Sequence, residues 1–342
     1  MPRKAPFSAE VLGSKEADLD PTDTLLLPAS ARDEHQTVSS PTANICGFLQ
    51  KDLSCKHLNN IDKFLWLAGR PMPPRPLNYQ AATSREIVPD ERINMHLVWE
   101  SSRRIHLKPI PRYLLDHQFW DSHLICAEQC PCLSGHGYPA AARGEYLCQR
   151  KELYEYSLGL LFSYIALIQY ESDFAIAQVH HLIPEKVTWE QWVILVQQLL
   201  ENGAANPKNI NARYLFGELR LSRLNKIYAC RCGNVLRGYQ FPYQTYGELF
   251  RDYLTPLTAM TIYVALVLTA MQVGLATTRL GDSLPFQRAS YGFTVFSILG
   301  PLIAIMLVGF VGLLHLVNNL VETWRFKQER FAGYELLTLR SP

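Results

Sequence analysis

Residues 253–278 read YLTPLTAMTIYVALVLTAMQVGLATT, and residues 289–321 read ASYGFTVFSILGPLIAIMLVGFVGLLHLVNNLV. Neither stretch contains Asp, Glu, Lys or Arg. A helix rises about 1.5 Å per residue, so about 20 apolar residues cover the hydrocarbon core of a bilayer. At about 26 and about 33 uncharged residues, both stretches are long enough to span. The expected structure here is a two-helix transmembrane hairpin, with spans at about residues 255–278 and 292–318 and a short C-terminal tail.

The flanking residues set an expected orientation. The link, residues 279–288, carries Arg279, Asp282 and Arg288. The outer flanks carry Arg231, Arg237 and Arg251 before the first stretch, and Arg325, Lys327 and Arg330 after the second. Basic residues concentrate on the cytoplasmic side of a span, which places both termini in the cytosol and the link on the far side. Residues 1–20 are charged throughout and lack the pattern of a secretory signal, so the first span is expected to serve as its own insertion signal. Tyr253 and Trp324 suit interfacial anchoring.

Inside the stretches, Gln272 is the clearest polar group of the first. It is expected to hydrogen-bond to the second helix or to a partner. Ala270 and Gly274 form a small-xxx-small pair, a weak signal for close helix contact. Pro301, preceded by Gly300, predicts a bend or local break. The lack of acidic and basic residues argues against a pump or ion-coupled transporter. Oligomerisation through the spans can still build a pore.

Upstream, residues 210–228 are predicted to form one helix. Tyr214, Leu221, Leu224 and Tyr228 fall on one stripe, with Arg213, Arg220, Arg223 and Lys226 beside it. Two placements suit such a helix. It can lie on an anionic membrane surface, each cation contributing about 1 kcal/mol, or it can pack as an ordinary surface helix.

The rest of the 342 residues divides at two points. Residues 1–43 are rich in Pro, Ser, Thr and acids without an apolar period, and are expected to be a disordered tail. Residues 44–240 are expected to form a mostly helical cytosolic domain, and residues 241–342 the membrane hairpin. Within the domain, residues 70–76, RPMPPRP, predict a stiff polyproline-like connector that also fits the Arg-x-x-Pro-x-x-Pro pattern of polyproline ligands. Residues 96–100 and 104–108 alternate in character around a polar turn and predict a β-hairpin. Residues 113–124 predict a helix. The uncharged run within 153–170 is too short to span and predicts a buried core helix or an interfacial one. Thr188 and Gln191 form a capping box for a helix running to Glu201. The fold class is therefore mainly α: a helical cytosolic domain with a small β-hairpin, followed by a two-helix transmembrane hairpin.

Chemistry is harder to find. The net charge of +2 provides no global field for nucleic acid. Eight scattered cysteines and no Asn-x-Ser/Thr sequon fit a reducing location for the soluble part. The one candidate metal set is His123, Cys126, Cys130, Cys132 and His136, with Cys148 nearby. Imidazoles and thiolates in this density can hold zinc, although the spacing matches no standard module. The alternative is ordinary thiols in a loop. His180 and His181 are adjacent and cannot easily share a metal. There is no Gly-x-Ser-x-Gly elbow, phosphate loop, dinucleotide fingerprint or His-Glu-x-x-His motif. No cofactor and no catalytic residue are expected.

Three strings carry a resemblance: FLWLAGRPMPPRP at residues 64–76, RYLFGELRLSRLN at 213–225 and AMQVGL at 270–275. On these, the chain resembles a family of fungal membrane proteins classed as a domain of unknown function, over roughly residues 44–324. The resemblance implies two C-terminal spans and a fungal source. It implies no activity and no catalytic residues. Some relatives bear a subtilisin-like protease label, but the strings that surround the Asp, His and Ser of such proteases do not occur in this chain.

The expected function is a membrane-anchored scaffold or adaptor without catalytic activity. Its partners are expected to be the lipid bilayer and a cytosolic protein, with homo-oligomerisation through the spans. The competing expectations are a membrane-associated enzyme and a subunit of a small channel or transporter. They separate by the presence of a pocket with converging His, Cys or acidic groups, and by solute flux.

Overall fold

The computed structural model describes residues 4–12, 25–32, 37–126, 148–232, 239–240 and 246–338. The chain divides into two compact units, Met1–Gln240 and Phe241–Pro342.

The first unit opens with a small antiparallel pair, β1 (Ala31–Arg32) and β2 (Val38–Ser39). Helices α1 (Ile45–Leu53), α2 (Lys56–Asn59), α3 (Leu65–Ala68) and α4 (Leu77–Ala82) follow. Next come strands β3 (Glu86–Pro89), β4 (Val98–Trp99) and β5 (Arg104–Leu107). The short α5 (His117–Phe119) leads through α6 (Gln149–Leu167), α7 (Glu171–Val179) and α8 (Trp189–Glu201) to strand β6 (Leu219–Arg220) and helix α9 (Leu221–Cys232).

The expected hairpin is present. Val98 pairs with His106 and Trp99 with Ile105, antiparallel. It sits inside a larger mixed sheet of order β3-β5-β4-β6, in which β3 runs parallel to β5 and β6 parallel to β4. Pro89 is tolerated because β3 is an edge strand, where a missing N–H leaves no ladder position empty.

Helix α6 is the buried alternative of the two expected for its sequence. Leu153, Tyr156, Leu158, Leu160, Leu161, Tyr164 and Leu167 are each at most 2% exposed, so apolar and aromatic side chains leave it in every direction. Trp120, Trp192 and Tyr113 complete the larger core around it. Trp120 donates its indole N–H to the Leu114 carbonyl at 2.9 Å, which removes the cost of burying it. The Thr188 capping box forms as expected: the Thr188 side chain accepts from Gln191 N, and Gln191 Oε1 accepts from Thr188 N at 2.9 Å. Asp173 is fully buried at the start of α7. Its carboxylate accepts from the backbone N–H groups of Gln169, Tyr170 and Asn78, which makes it a helix-end group. A second, smaller core gathers Leu58, Ile61, Leu65, Val98, Leu219, Leu221, Leu224 and Tyr228.

Three expectations change in the first unit. The described parts of residues 1–43 pack on the domain rather than forming a tail: Phe7 and Val11 enter the larger core, and Ser8 N and Ala9 N donate to Gln198 Oε1 at 2.8 and 3.1 Å. The helix expected over 113–124 breaks into a 3-10 turn (Arg112–Leu115), α5 and a π turn (Trp120–Leu124), because Asp116 caps α5 by accepting from Gln118 N and Phe119 N. Residues 210–228 are not one helix either. A 3-10 turn (Ala212–Leu215) and β6 precede α9, which begins only at Leu221.

The second unit holds α10 (Tyr246–Leu275), the single-turn α11 (Thr278–Gly281) and α12 (Leu284–Thr338). Two segments are long and apolar enough to cross a membrane, Leu254–Leu275 and Leu284–Gln328. Their apolar side chains point outward: Ile262, Leu266, Ile303 and Met306 are each more than half exposed. α12 runs unbroken through Pro301, so of the bend or break expected there, the break does not occur. Gln272 is exposed on α10, not held between the helices, and Gly274 is the buried residue, lying against Phe286. The i,i+4 geometry explains this, since the face that turns Gly274 toward α12 turns Gln272 away.

Candidate functional site

Residues 64–76 and 213–225 are far apart in sequence and meet in the first unit. Gly217 N donates to the Met72 carbonyl at 2.8 Å. A Cβ on Gly217 would fall 2.7 Å from Met72 O and from Pro74 N, so only glycine permits this approach. Gly69 faces the Glu218 carbonyl and the Leu219 side chain under the same restriction. The polyproline-like segment is thus fastened to the domain, with Pro74 buried. It serves here as a packed connector.

Glu218 locks the junction. Its side chain is only 8% exposed and accepts from Arg75 Nε at 2.8 Å, Arg75 Nη2 at 2.5 Å, Gln80 Nε2 at 2.8 Å and Arg85 Nη1. Burial alone would raise its pKa, but the bonds from Arg75, Arg85 and Gln80 outweigh burial and bring the carboxyl to about 2. Arg85 and Arg220 then stack on the Trp99 ring, with guanidinium carbons 4.7 and 4.9 Å from its centroid.

The four expected membrane-surface cations separate. Arg213 is a correction: it is 2% exposed and donates to the backbone carbonyls of Phe216, Gly217 and His96. Arg220 is half-buried on β6 against Trp99. Arg223 and Lys226 are exposed on α9. The apolar stripe of that helix, Leu221, Leu224 and Tyr228, is spent on the smaller core and is not available to lipid.

What α9 offers instead is a basic face bordered by α3. Arg223 Nη1 donates to the Leu67 carbonyl at 3.2 Å, and the Arg231 guanidinium lies 4.4 Å over the Phe64 ring. Trp66 is 61% exposed, and Leu67 and Met72 are also exposed. Arg70 is exposed two residues beyond α3. Asn225, between Arg223 and Lys226, accepts from Tyr239 N at 2.9 Å and Gln240 N at 3.0 Å. The chain therefore ends the first unit pinned to α9.

A family model described as a family of unknown function (DUF6601) matches residues 45–301. The chain belongs to that family. The match takes in both strings of the junction, all of α10 and the start of α12. No curated protein and no solved structure matches the chain.

The other sequence candidates of this DUF6601 chain are distributed as follows. Of the metal set, Cys130, Cys132 and His136 lie outside the described residues. The His123 ring lies against Phe119 in a tilted contact, with ring centroids 4.6 Å apart. Cys126 Sγ lies 3.4 Å from Cys148 Sγ. Among the described residues, no group of three His, Cys, Asp or Glu side chains is arranged to hold a metal ion.

Sequence reasoning missed a cleft of about 820 Å³ lined by Phe48, Asp52, Glu91, Pro109, Tyr113 and Ile183, among others. Of its acidic groups, Asp52 is engaged on both carboxylate oxygens. The buried Lys108 ammonium donates to Asp52 Oδ1 at 2.9 Å and to the Glu91 carbonyl at 2.7 Å, and Tyr113 donates to Asp52 Oδ2 at 2.5 Å. A His–Ser contact behind it runs the wrong way for a nucleophile. His96 Nδ1 accepts from Lys108 N at 3.0 Å, so Nε2 carries the proton toward Ser163 Oγ at 2.8 Å. Ser163 in turn donates to the Leu160 carbonyl at 2.6 Å. Burial, with Arg213 and Lys108 nearby, holds His96 neutral. No sequence signal marked either group, because the partners come from four separate segments.

Proposed function

We propose that the chain is a two-span membrane protein with both termini in the cytosol, and that its soluble unit serves as a non-catalytic adaptor at the membrane surface. One observation carries the reading. A folded unit with its own two cores continues, in one chain, into two helices whose apolar side chains face outward. Such side chains are stable in lipid and a liability in water. The positive flanks support the orientation. The tied Asp52 carboxylate in the cleft and the reversed His96–Ser163 contact favour an adaptor over an enzyme.

The test is proximity labelling with a tag at each terminus, together with alkaline carbonate extraction. Cytosolic neighbours for both tags and a chain that stays with the membrane support the reading. A lumenal label at either end, or release by carbonate, overturns it.

A second reading concerns assembly. Gln272 is exposed on α10, where an unpartnered amide in lipid is costly, whereas the exposed Thr258, Thr261 and Thr269 hydroxyls are satisfied by carbonyls of their own helix. This favours pairing of α10 with a second copy of the chain, which is also what a small oligomeric pore would require.

A further inference from the structure

We propose that the α3–α9 face docks on an anionic bilayer surface, with Trp66 and Leu67 entering the headgroup region and Arg70, Arg223, Lys226 and Arg231 meeting lipid phosphates and carboxylates. The inference rests on the anchored reading above and names the surface that the soluble unit engages.

Three observations converge on it. The first is composition. An exposed indole and an exposed leucine stand on one short helix, and tryptophan favours the level of the headgroups because its ring is apolar and its N–H is polar. The second is charge. Arg223 and Arg231 both reach across α9 onto the α3 segment, at the Leu67 carbonyl and the Phe64 ring, which puts cations beside the apolar residues. Among the described residues, no carboxylate lies within ion-pair distance of Arg70, Arg223, Lys226 or Arg231, and the exposed Asp62 sits beside Lys63. The third is the tether. Tyr239 and Gln240 are held by Asn225 of this same helix, and about 14 residues later the first candidate span begins at Leu254. That length of chain reaches no more than about 50 Å when fully extended. The face is therefore held at high local concentration against whatever bilayer holds the spans.

This mode of docking differs from that of an amphipathic helix lying in the interface. The apolar stripe of α9 stays in the protein, and the apolar contact comes from α3. Binding is then dominated by charge and must be sensitive to salt and to lipid composition.

The test uses the full chain reconstituted in nanodiscs of phosphatidylcholine alone, or with about 30% phosphatidylserine, followed by backbone hydrogen exchange. The expected result is exchange slowed about tenfold over residues 65–72 and 221–231 in the anionic discs only. Strands β4 and β5 should exchange equally in both and report an intact fold. The slowing should disappear in the Arg223→Glu, Lys226→Glu, Arg231→Glu variant. It should also disappear for the unaltered chain at about 0.5 M salt, where charges are screened within a few ångströms, which keeps the test valid if the variant folds poorly. Equal exchange in the two lipids overturns the proposal. So does slowing that survives both the variant and the salt, or slowing that needs an added protein. Carbonate extraction of the same chain is independent of these outcomes, so a failure of docking is distinguishable from a failure of anchoring.

Discussion

Glu218 and His106 have opposite pH signatures. The Glu218 carboxyl falls from an ordinary 4.5 to about 2 in the folded chain. A depressed carboxyl adds stability above its unfolded pKa and loses it as pH falls through the folded value. That contribution, on the order of 3 kcal/mol, should vanish between about pH 4.5 and 2. Glu218→Gln should lower the urea midpoint at pH 7 and flatten its acid dependence, as read by tryptophan emission. His106 behaves the other way. Its Nε2 lies 3.0 Å from Glu100 Oε1, and its Nδ1 lies 3.3 Å from Asp90 Oδ2, close enough for ionic attraction though not aligned as a hydrogen bond. Asp90 first, then Glu100, outweigh burial and raise the imidazole above 6.5. A raised base adds stability that is complete below its unfolded pKa and is lost as pH rises through the folded one. His106→Gln should therefore remove the decline in midpoint seen on raising the pH above about 6.5; an unchanged profile would refute the assignment.

At the scale of elements, α9 separates two roles on one helix. Leu224 is fully buried in the smaller core, so Leu224→Ala should destabilise the first unit by about 2–5 kcal/mol. Arg223 is exposed, and Arg223→Ala should stay within about 0.5 kcal/mol. Denaturant midpoints of the two variants measure this, and similar losses would mean that α9 is not oriented as described. Gly217→Ala should be as costly as a core deletion, because the added methyl meets backbone and has nothing flexible to push aside.

The elements also mark what the sequence could show. The two apolar helices, the Thr188 box and the 98–107 hairpin each have a local signature: a charge-free run, a polar pair at fixed spacing, an alternation. Strand β6 has two residues and no period, so residues 210–228 read as one helix. The burial of Arg213 has no sequence signature, because arginine is rarely buried and its carbonyl partners carry no side-chain signal. Phe7 and Val11 are isolated apolar residues in a polar segment, where only the surface that receives them reveals their role. The Glu218 junction was legible only as two strings of unexplained character; that they touch is a product of the fold.

At the scale of the whole molecule, the two units treat their apolar side chains in opposite ways. The first buries its apolar side chains, and the second displays them. If α10 pairs with a second copy through Gln272, Gln272→Leu should abolish cross-linked dimers in membranes while leaving carbonate resistance intact. Dimers that persist in this variant would place the contact elsewhere. The outward apolar face also predicts that the isolated chain needs detergent or lipid to stay dispersed, measured by sedimentation after detergent removal.

The fastening of Tyr239 and Gln240 to Asn225 has a mechanical consequence. Any pull transmitted along the connecting chain enters the first unit at Tyr239 and Gln240 and is borne first by their two hydrogen bonds to Asn225, by the Tyr239 hydroxyl bond to the Asn94 carbonyl and by the Tyr239 ring against Tyr228 of the smaller core. Under tension, the smaller core should yield as a separate early step while the larger core around α6 remains loaded only later. The molecule thus contains a weak link in series with a strong one, and optical-tweezer traces of the full chain should show two rips of unequal force.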